Sequence, residues 1–330
     1  MRGSDVETRR AFLDSLSVDG GPLTIDAPHA TVNDRRYFRR IGDELVPTRP
    51  RLRLHERIVN EWRGSRPGVG RDRRAILMAG PPGAGKSTAR AQLLHGESVG
   101  WRYLDADEFK LRLLHAAVAD GSLQDLLPQP LRSAPGQPSR FYPNELCALV
   151  HVESNVILEQ VVGQCVAAGE NVIIDGTMAW KPWVSALVTR LDDEEYDIHV
   201  VDVEASKEIA AARIVHRWKQ GLDAALTASA EDAQAQMGGR WLPVSAVDRL
   251  FAAHRQPDGK PLEGRSVSEV NALEVSEESP AVSRYDLYRT VVADGGPEHI
   301  ERREWTEGGR LALTRSDGQL TTVDRQDGDA

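Results

Sequence analysis

Cysteine is nearly absent: Cys147 and Cys165 are the only two in 330 residues. That excludes a disulfide framework and a four-cysteine metal site. Their spacing fits no metal or redox motif, so both read as small core residues. No run approaches the roughly 18 apolar residues that span a bilayer. The opening MRGSDVETRR lacks the apolar centre of a signal peptide, and a cytoplasmic location is the expectation. Positive charge is also short, with 41 Lys and Arg against 50 Asp and Glu and a net charge of −9. Surfaces that grip nucleic acid or anionic membrane need the opposite excess, so neither is an expected partner. A local basic pocket for a phosphorylated small molecule is compatible with that balance. Apolar residues make up 40% and charged residues 28%, the composition of a globular chain. The length allows two or three domains, or one large domain with appendages, and a core that needs no staples.

Residues 1–50 are turn-rich, with Gly20-Gly21-Pro22, Pro47 and Pro50, and short helices are expected over 5–17 and 33–41. Over 51–63 (RLRLHERIVNEWR), Leu54, Ile58 and Trp62 recur at helical spacing. This predicts a helix that buries that face and turns the intervening charged residues to solvent. From 71 onward, short apolar runs alternate with helical patterns. The runs are 75–79 (AILMA), the end of 101–105 (WRYLD), 171–175 (NVIID) and 197–203 (DIHVVDV). Helices are expected near 86–95, 107–118, 144–168, 181–191 and 206–219. Such alternation predicts an α/β fold, a parallel sheet flanked by helices. Residues 120–140, with Pro128, Pro130, Pro135 and Pro138, read as a long insertion loop, and 223–239 as partly helical. Strand-like runs at 285–292, 299–305, 309–315 and 319–325 are separated by Gly295-Gly296, Gly308-Gly309 and Asp317-Gly318. They predict hairpins or a small antiparallel sheet.

The strongest motif is Gly80-Pro81-Pro82-Gly83-Ala84-Gly85-Lys86-Ser87-Thr88, a full G-x-x-x-x-G-K-[ST] match between a buried strand and a helix. Small residues let backbone N–H groups converge on phosphates at a helix N-terminus. Lys86 is expected to reach the β- and γ-phosphates of ATP, and Ser87 to place its hydroxyl on Mg²⁺. GTPase guanine-reading motifs and an ABC signature are missing, and the length is short for a motor. A small-molecule kinase is the simplest class that remains.

Acids at strand ends supply the next candidates, because ligands of doubly wound sheets gather beyond the carboxyl ends of the strands. Asp105 and Asp107 follow the second strand, where a carboxylate can orient and deprotonate an acceptor hydroxyl. Asp107 is the first choice for that base, although the same position suits a helix N-cap. Asp175, followed by Gly176 and Thr177, ends the NVIID strand, as a Mg²⁺-water ligand or substrate contact or as a turn former. The helix before it offers Glu153 and Glu159, with His151, as substrate-side groups. Arg213 and Arg217 share a helix face at i, i+4, and Arg240 follows Gly238-Gly239, which read as a hinge. Positive charge around a transferring phosphoryl group is what phosphoryl transfer needs.

Taken together, 54–59 (LHERIV), 80–88 (GPPGAGKST), 105–110 (DADEFK), 153–177 and 238–243 (GGRWLP) resemble the zeta toxin family of P-loop kinases. The resemblance spans about 52–256. It implies an adenylate-kinase-like fold that transfers the γ-phosphate of ATP to the 3′-hydroxyl of the amino sugar in UDP-N-acetylglucosamine. It also implies a small helical antitoxin that blocks the nucleotide site. By this resemblance Asp107 is the base, Lys86 and Ser87 hold phosphate and Mg²⁺, Glu159 faces substrate, and Arg217 (or Arg213) and Arg240 are the lid arginines. Where that family usually has Glu before Gly-Thr, this chain has the shorter Asp175. The implied organisation is an N-terminal extension over 1–50, a kinase domain over 51–260 and a β-rich extension over 261–330. Two other readings stay open: a kinase of an antibiotic, nucleoside or polyol, and an ATP-binding regulatory or interaction protein. Occlusion of the nucleotide site in cis by residues 1–50 is a related expectation.

Overall fold

A computed structural model describes residues 3–95, 99–133, 141–229, 231–305, 311–315 and 320–321. In chain order its elements are α1 (Gly3–Leu16), β1 (Phe38–Ile41), β2 (Glu44–Pro47), α2 (Arg49–Gly64), β3 (Arg74–Ala79), α3 (Lys86–Leu93), β4 (Arg102–Asp105) and α4 (Ala106–Ala119). Then come α5 (His151–Ala167), β5 (Val172–Asp175), α6 (Lys181–Asp193), β6 (Asp197–Ala205), α7 (Lys207–Thr227), α8 (Val244–Asp248), α9 (Val267–Glu278), β7 (Val282–Thr290), β8 (Glu298–Trp305), β9 (Leu311–Arg315) and β10 (Leu320–Thr321). The chain divides into two compact units. One comprises Met1–Pro67, Asp105–Val162 and Arg213–Ala246, and the other Gly68–Leu104, Gly163–Ala212 and Val247–Ala330.

The second unit is built on an eight-stranded sheet in the order β10-β9-β8-β7-β6-β3-β5-β4. β3 is buried from Ala75 to Ala79 and pairs in parallel with β5 (Ile76 with Ile173) and β6 (Met78 with Val201). Strands buried on both faces read as continuous apolar runs, which is why these were visible in sequence. Ile76, Met78, Ile173, Val201, Val203 and Tyr288 pack one core with Ala84 and Ala89 of the phosphate loop and α3.

The strands after 260 pair antiparallel as expected, and they do so as an extension of the parallel sheet. β7 pairs in parallel with β6 (Val203 with Tyr288), and β8, β9 and β10 continue antiparallel from it. A parallel return requires a crossover, and α9 supplies it. The sequence hid α9 because Ser268, Asn271 and Ser276 are fully buried on it beside Val270, Ala272 and Val275, leaving no apolar stripe. The expected turns over 306–310 and 316–319, and 322–325 of the last run, lie outside the described residues.

In the first unit, Trp62 of α2 packs on Phe109 of α4 with ring centroids 5.6 Å apart. α2 turns Arg53, Glu56, Arg57 and Glu61 to solvent as its spacing predicts, with two exceptions. Arg51 and His55 are buried with Ile58, Val59 and Trp62, because both engage Glu153 of α5. Residues 33–41 are not a helix. A 3₁₀ turn at Thr31–Asn33 precedes β1, where Phe38 points inward and Arg39, Arg40 and Ile41 outward. Gly42, at φ 60°, turns the chain into β2, a position that suits glycine. The insertion at 120–140 contains 3₁₀ turns at Ser122–Leu126 and Gln129–Leu131 and buries Leu123, Leu126 and Leu127. Its 134–140 stretch, with Pro135 and Pro138, is outside the described residues. Against the reading that no run approaches membrane-spanning length, the helical stretch Pro143–Ala167 is long and apolar enough by composition. More than half of its apolar window is buried inside the protein, as in a core helix.

Candidate functional site

β3 ends at Ala79 and the phosphate loop leads straight into α3 at Lys86. Gly80, Gly83 and Gly85 hold φ angles of 122°, 87° and 108°, which only glycine adopts freely. A Cβ at Gly80 would strike the Val203 backbone, and one at Gly83 the Ala210 backbone. Both space and conformation therefore require glycine there, and the loop leaves the N-terminus of α3 as an anion-binding end. Lys86 Nζ donates to the carbonyls of Gly80 (2.8 Å) and Pro81 (3.4 Å). It also lies 3.9 Å from Asp175 Oδ1. The Tyr103 hydroxyl donates to Asp175 Oδ2 at 2.6 Å, and the Arg90 guanidinium sits 3.8 Å above the Tyr103 ring. One oxygen of Asp175 is thus oriented by Tyr103 while the other faces Lys86. Ser87 and Thr88 are exposed at the start of α3. Thr177 is half-buried and accepts from the Ala179 amide at 3.3 Å.

Two participants in this unit escaped sequence reasoning. Tyr103 lies on β4, the strand beside β5 in the sheet order, and that adjacency was the available signal. Buried Thr290, the last residue of β7, donates its hydroxyl to the Ala84 carbonyl of the loop at 2.7 Å. Nothing in the sequence connected two residues so far apart.

In the first unit, Asp105 is the N-cap of α4: its Oδ1 accepts from the Asp107 amide at 2.8 Å. Asp107 is therefore not the cap. Its carboxylate, 34% exposed, accepts from Lys110 Nζ at 2.8 Å and pairs through its other oxygen with Arg240. Burial pushes the Lys110 amine down from its ordinary value. Burial, followed by the charge of Lys110, pushes His151 down to about 4, so His151 is neutral at pH 7. Gly238 and Gly239 serve packing where the sequence suggested a hinge. The Gly238 carbonyl accepts from Asn144 Nδ2 at 2.9 Å, and a Cβ would meet the Tyr142 side chain at Gly238 and the Trp218 backbone at Gly239.

Glu153 is tied into the fold. It is fully buried and accepts from Arg51 Nε and Nη2 at 2.5 and 2.7 Å, with His55 Nε2 at 2.6 Å. Burial alone would raise its carboxyl, but these donors hold it down at about 2. Glu159 is half-buried on α5, Arg213 half-buried and Arg217 exposed on α7. Asp105, Asp107, Glu159, Arg213, Arg217 and Arg240 belong to the first unit, and the phosphate loop, Asp175 and Thr177 to the second.

Two further acids of the second unit were not anticipated. Asp202 and Glu204 alternate with Val201 and Val203 along β6 and are fully buried. Tyr285 donates to Asp202 Oδ2 at 3.0 Å and Ser266 to Glu204 Oε1 at 2.9 Å. Burial, then the charge of Glu269, pushes Asp202 up to about 7, and burial with Asp202 beside it raises Glu204. Among the described residues, no group of three or more His, Cys, Asp or Glu side chains gathers as a metal cage.

Residues 76–239 match the family described as AAA domain. No curated protein matches the sequence. Among solved structures, the AvrRxo1-ORF1:AvrRxo1-ORF2 complex with sulphate ions is similar at 15% identity and a TM-score of 0.51, over 84% of this chain and 76% of that one. The AvrRxo1-ORF1:-ORF2 complex with ATP gives 15% and 0.49 over the same shares. The PezAT chromosomal toxin-antitoxin system of Streptococcus pneumoniae gives 14% and 0.46, over 72% of this chain and 76% of that one. With its phosphate loop between β3 and α3 and its largely parallel sheet flanked by helices, the chain has an α/β P-loop fold similar to that of the AvrRxo1-ORF1:AvrRxo1-ORF2 structure with sulphate ions.

Proposed function

We propose that the protein is an ATP-dependent kinase whose acceptor is a sugar hydroxyl of UDP-N-acetylglucosamine or a related UDP-sugar. The observation that carries the kinase reading is Asp107: Asp105 does the capping, which leaves the Asp107 carboxylate for proton transfer in a chain with an intact phosphate loop. The loop amides and the α3 N-terminus hold the β- and γ-phosphates, and Lys86 exchanges its carbonyl partners for phosphate oxygens. Ser87 and Asp175 offer hard oxygen donors. These suit Mg²⁺, which takes one or two protein ligands alongside phosphates and water. When bound, that ion neutralises charge on the phosphates. Asp107 accepts the proton of the acceptor hydroxyl as its oxygen bonds to the γ-phosphorus, the bond from that phosphorus to the bridging oxygen breaks, and ADP leaves. Arg240 orients Asp107 and supplies positive charge during transfer.

The UDP-sugar is the finer part of the proposal and rests on the motif resemblance. Neutral His151 and the half-buried Glu159 are the groups assigned to the acceptor side. A protein partner acting as an antitoxin belongs to the same reading, and the similar AvrRxo1-ORF1 structure is itself a complex with AvrRxo1-ORF2. The test is incubation with ATP, Mg²⁺ and a panel of UDP-sugars, following ADP release and a product heavier by one phosphoryl group. Turnover with a UDP-sugar that disappears in Lys86→Ala supports the proposal. ATP binding with no phosphorylated UDP-sugar removes the acceptor assignment.

A further inference from the structure

The chemistry above makes no use of α1, yet this helix is joined to the first unit by more than apolar contact. Val6 and Leu13 are buried beneath it. Arg9 Nε donates to Glu145 Oε1 at 2.7 Å, and its Nη2 pairs with Oε2. The Glu145 side chain is wholly buried and also accepts from the Tyr142 amide at 2.9 Å and from Trp218 Nε1 at 3.4 Å. Just beyond α1, the Ser17 hydroxyl donates to the Leu13 carbonyl at 2.8 Å and accepts from Trp241 Nε1 at 3.0 Å. Both anchors lead to one place. Trp218 and Trp241 meet edge-on with centroids 5.2 Å apart. The Trp241 amide donates to the Asn144 carbonyl at 3.1 Å, and Cys147 Sγ donates to the Trp241 carbonyl at 3.0 Å. On the other side, Gly238 is held by Asn144. Arg240 thus projects from a backbone fixed before and after it, and its guanidinium pairs with Asp107.

A helix that only covered apolar surface would need no bidentate ion pair to a wholly buried carboxylate. Removing a carboxylate from water is repaid only where the geometry of its partners is tightly specified. The geometry specified here is that of the segment carrying Arg240. We propose that α1 is a working part of the acceptor half, with Arg9 and Ser17 as positioning residues that hold 238–241 so that Arg240 meets Asp107. This rests on the kinase reading for its catalytic consequence, but not for its structural one.

The test uses the full chain with Arg9→Met, Ser17→Ala and Arg240→Ala, singly and combined. Hydrogen exchange is read first because it needs no acceptor. Arg9→Met and Ser17→Ala should each speed exchange at 238–241 by about fivefold or more, while α2 and β3 are unchanged. Turnover is read with ATP and UDP-N-acetylglucosamine. Each variant should lower kcat about tenfold at unchanged KM for ATP, and by less than about twofold when Arg240→Ala is already present. A merely structural helix would give the same loss in both backgrounds, and that result overturns the proposal, as does unchanged exchange at 238–241. Absence of UDP-sugar turnover in the wild type counts against the acceptor reading alone, and the exchange result then decides this proposal. Should Arg9→Met fail to fold, Ser17→Ala, which leaves the Arg9–Glu145 pair intact, decides by the same criteria.

Discussion

Replacing Glu153 with glutamine separates a structural acid from a substrate-binding one. The wild-type carboxylate is buried, takes two hydrogen bonds from Arg51 and one from His55, and is held at about 2 against an ordinary 4.5. A displacement of that size stabilises the folded chain by about 3 kcal/mol at neutral pH. Because the folded value is the lower one, this stability is present above 4.5 and is lost as pH falls through about 2. Glutamine keeps the shape and one acceptor oxygen but leaves the Arg51 charge buried without its counter-ion, a loss of about 3 kcal/mol or more. Urea unfolding followed by tryptophan emission, with Trp62 buried in the same unit, measures the difference. The wild type should exceed Glu153→Gln by about 3 kcal/mol at pH 7, and the gap should close toward pH 2. KM values for ATP and acceptor should not move. A gap below about 1 kcal/mol at pH 7, the size of an exposed ion pair, would show that Glu153 is not a stabilising buried counter-ion. So would a raised acceptor KM at unchanged stability, which would return Glu153 to the substrate side.

Asp107→Asn should lower kcat by about a hundredfold or more while ATP binding, measured by calorimetry, stays within twofold, since it removes the proton acceptor and its ion pairs with Lys110 and Arg240 but leaves the phosphate loop intact. Thr290→Val leaves the buried Ala84 carbonyl without its donor, a penalty of about 1–3 kcal/mol, so the Kd for ATP should rise about tenfold and Thr290→Ser should restore it. Asp202 is raised from 3.8 to about 7, so its contribution is present below 3.8 and is lost as pH rises through about 7. Urea midpoints of the wild type should therefore fall between pH 5 and pH 8, and Asp202→Asn should flatten that slope. Equal slopes in both proteins would contradict the burial of an ionising Asp202.

The parts of this molecule legible in sequence are those where a local pattern coincides with a structural role. β3, β5 and β6 are apolar runs because both of their faces are covered, and the phosphate loop is legible because three backbone conformations demand glycine. The parts that were hidden depend on partners far along the chain. Arg51 and His55 read as solvent-facing because their partner, Glu153, lies about a hundred residues away. α9 carries buried serine and asparagine whose hydrogen bonds no periodicity reveals; Asn271, for instance, donates to the Met178 carbonyl at 2.7 Å. Gly238-Gly239 looked like a hinge because glycine permits motion, but it equally permits the close approach of Tyr142 and Trp218 seen here. At the candidate site, Asp105 and Asp107 were both singled out, and one cap hydrogen bond now divides their roles. Tyr103 and Thr290, which orient Asp175 and brace the loop, became visible only through the sheet order.

In the proposed reaction, Asp107 and the phosphate loop serve one phosphoryl transfer to a UDP-sugar. Mass spectrometry of a UDP-sugar panel after incubation with ATP and Mg²⁺ tests it most directly. UDP-N-acetylglucosamine or a close relative should gain one phosphoryl group, with stoichiometric ADP, in the wild type and in neither Asp107→Asn nor Lys86→Ala. A wild-type protein that binds ATP yet leaves every UDP-sugar at its original mass, or an Asp107→Asn variant that phosphorylates at the wild-type rate, would contradict it.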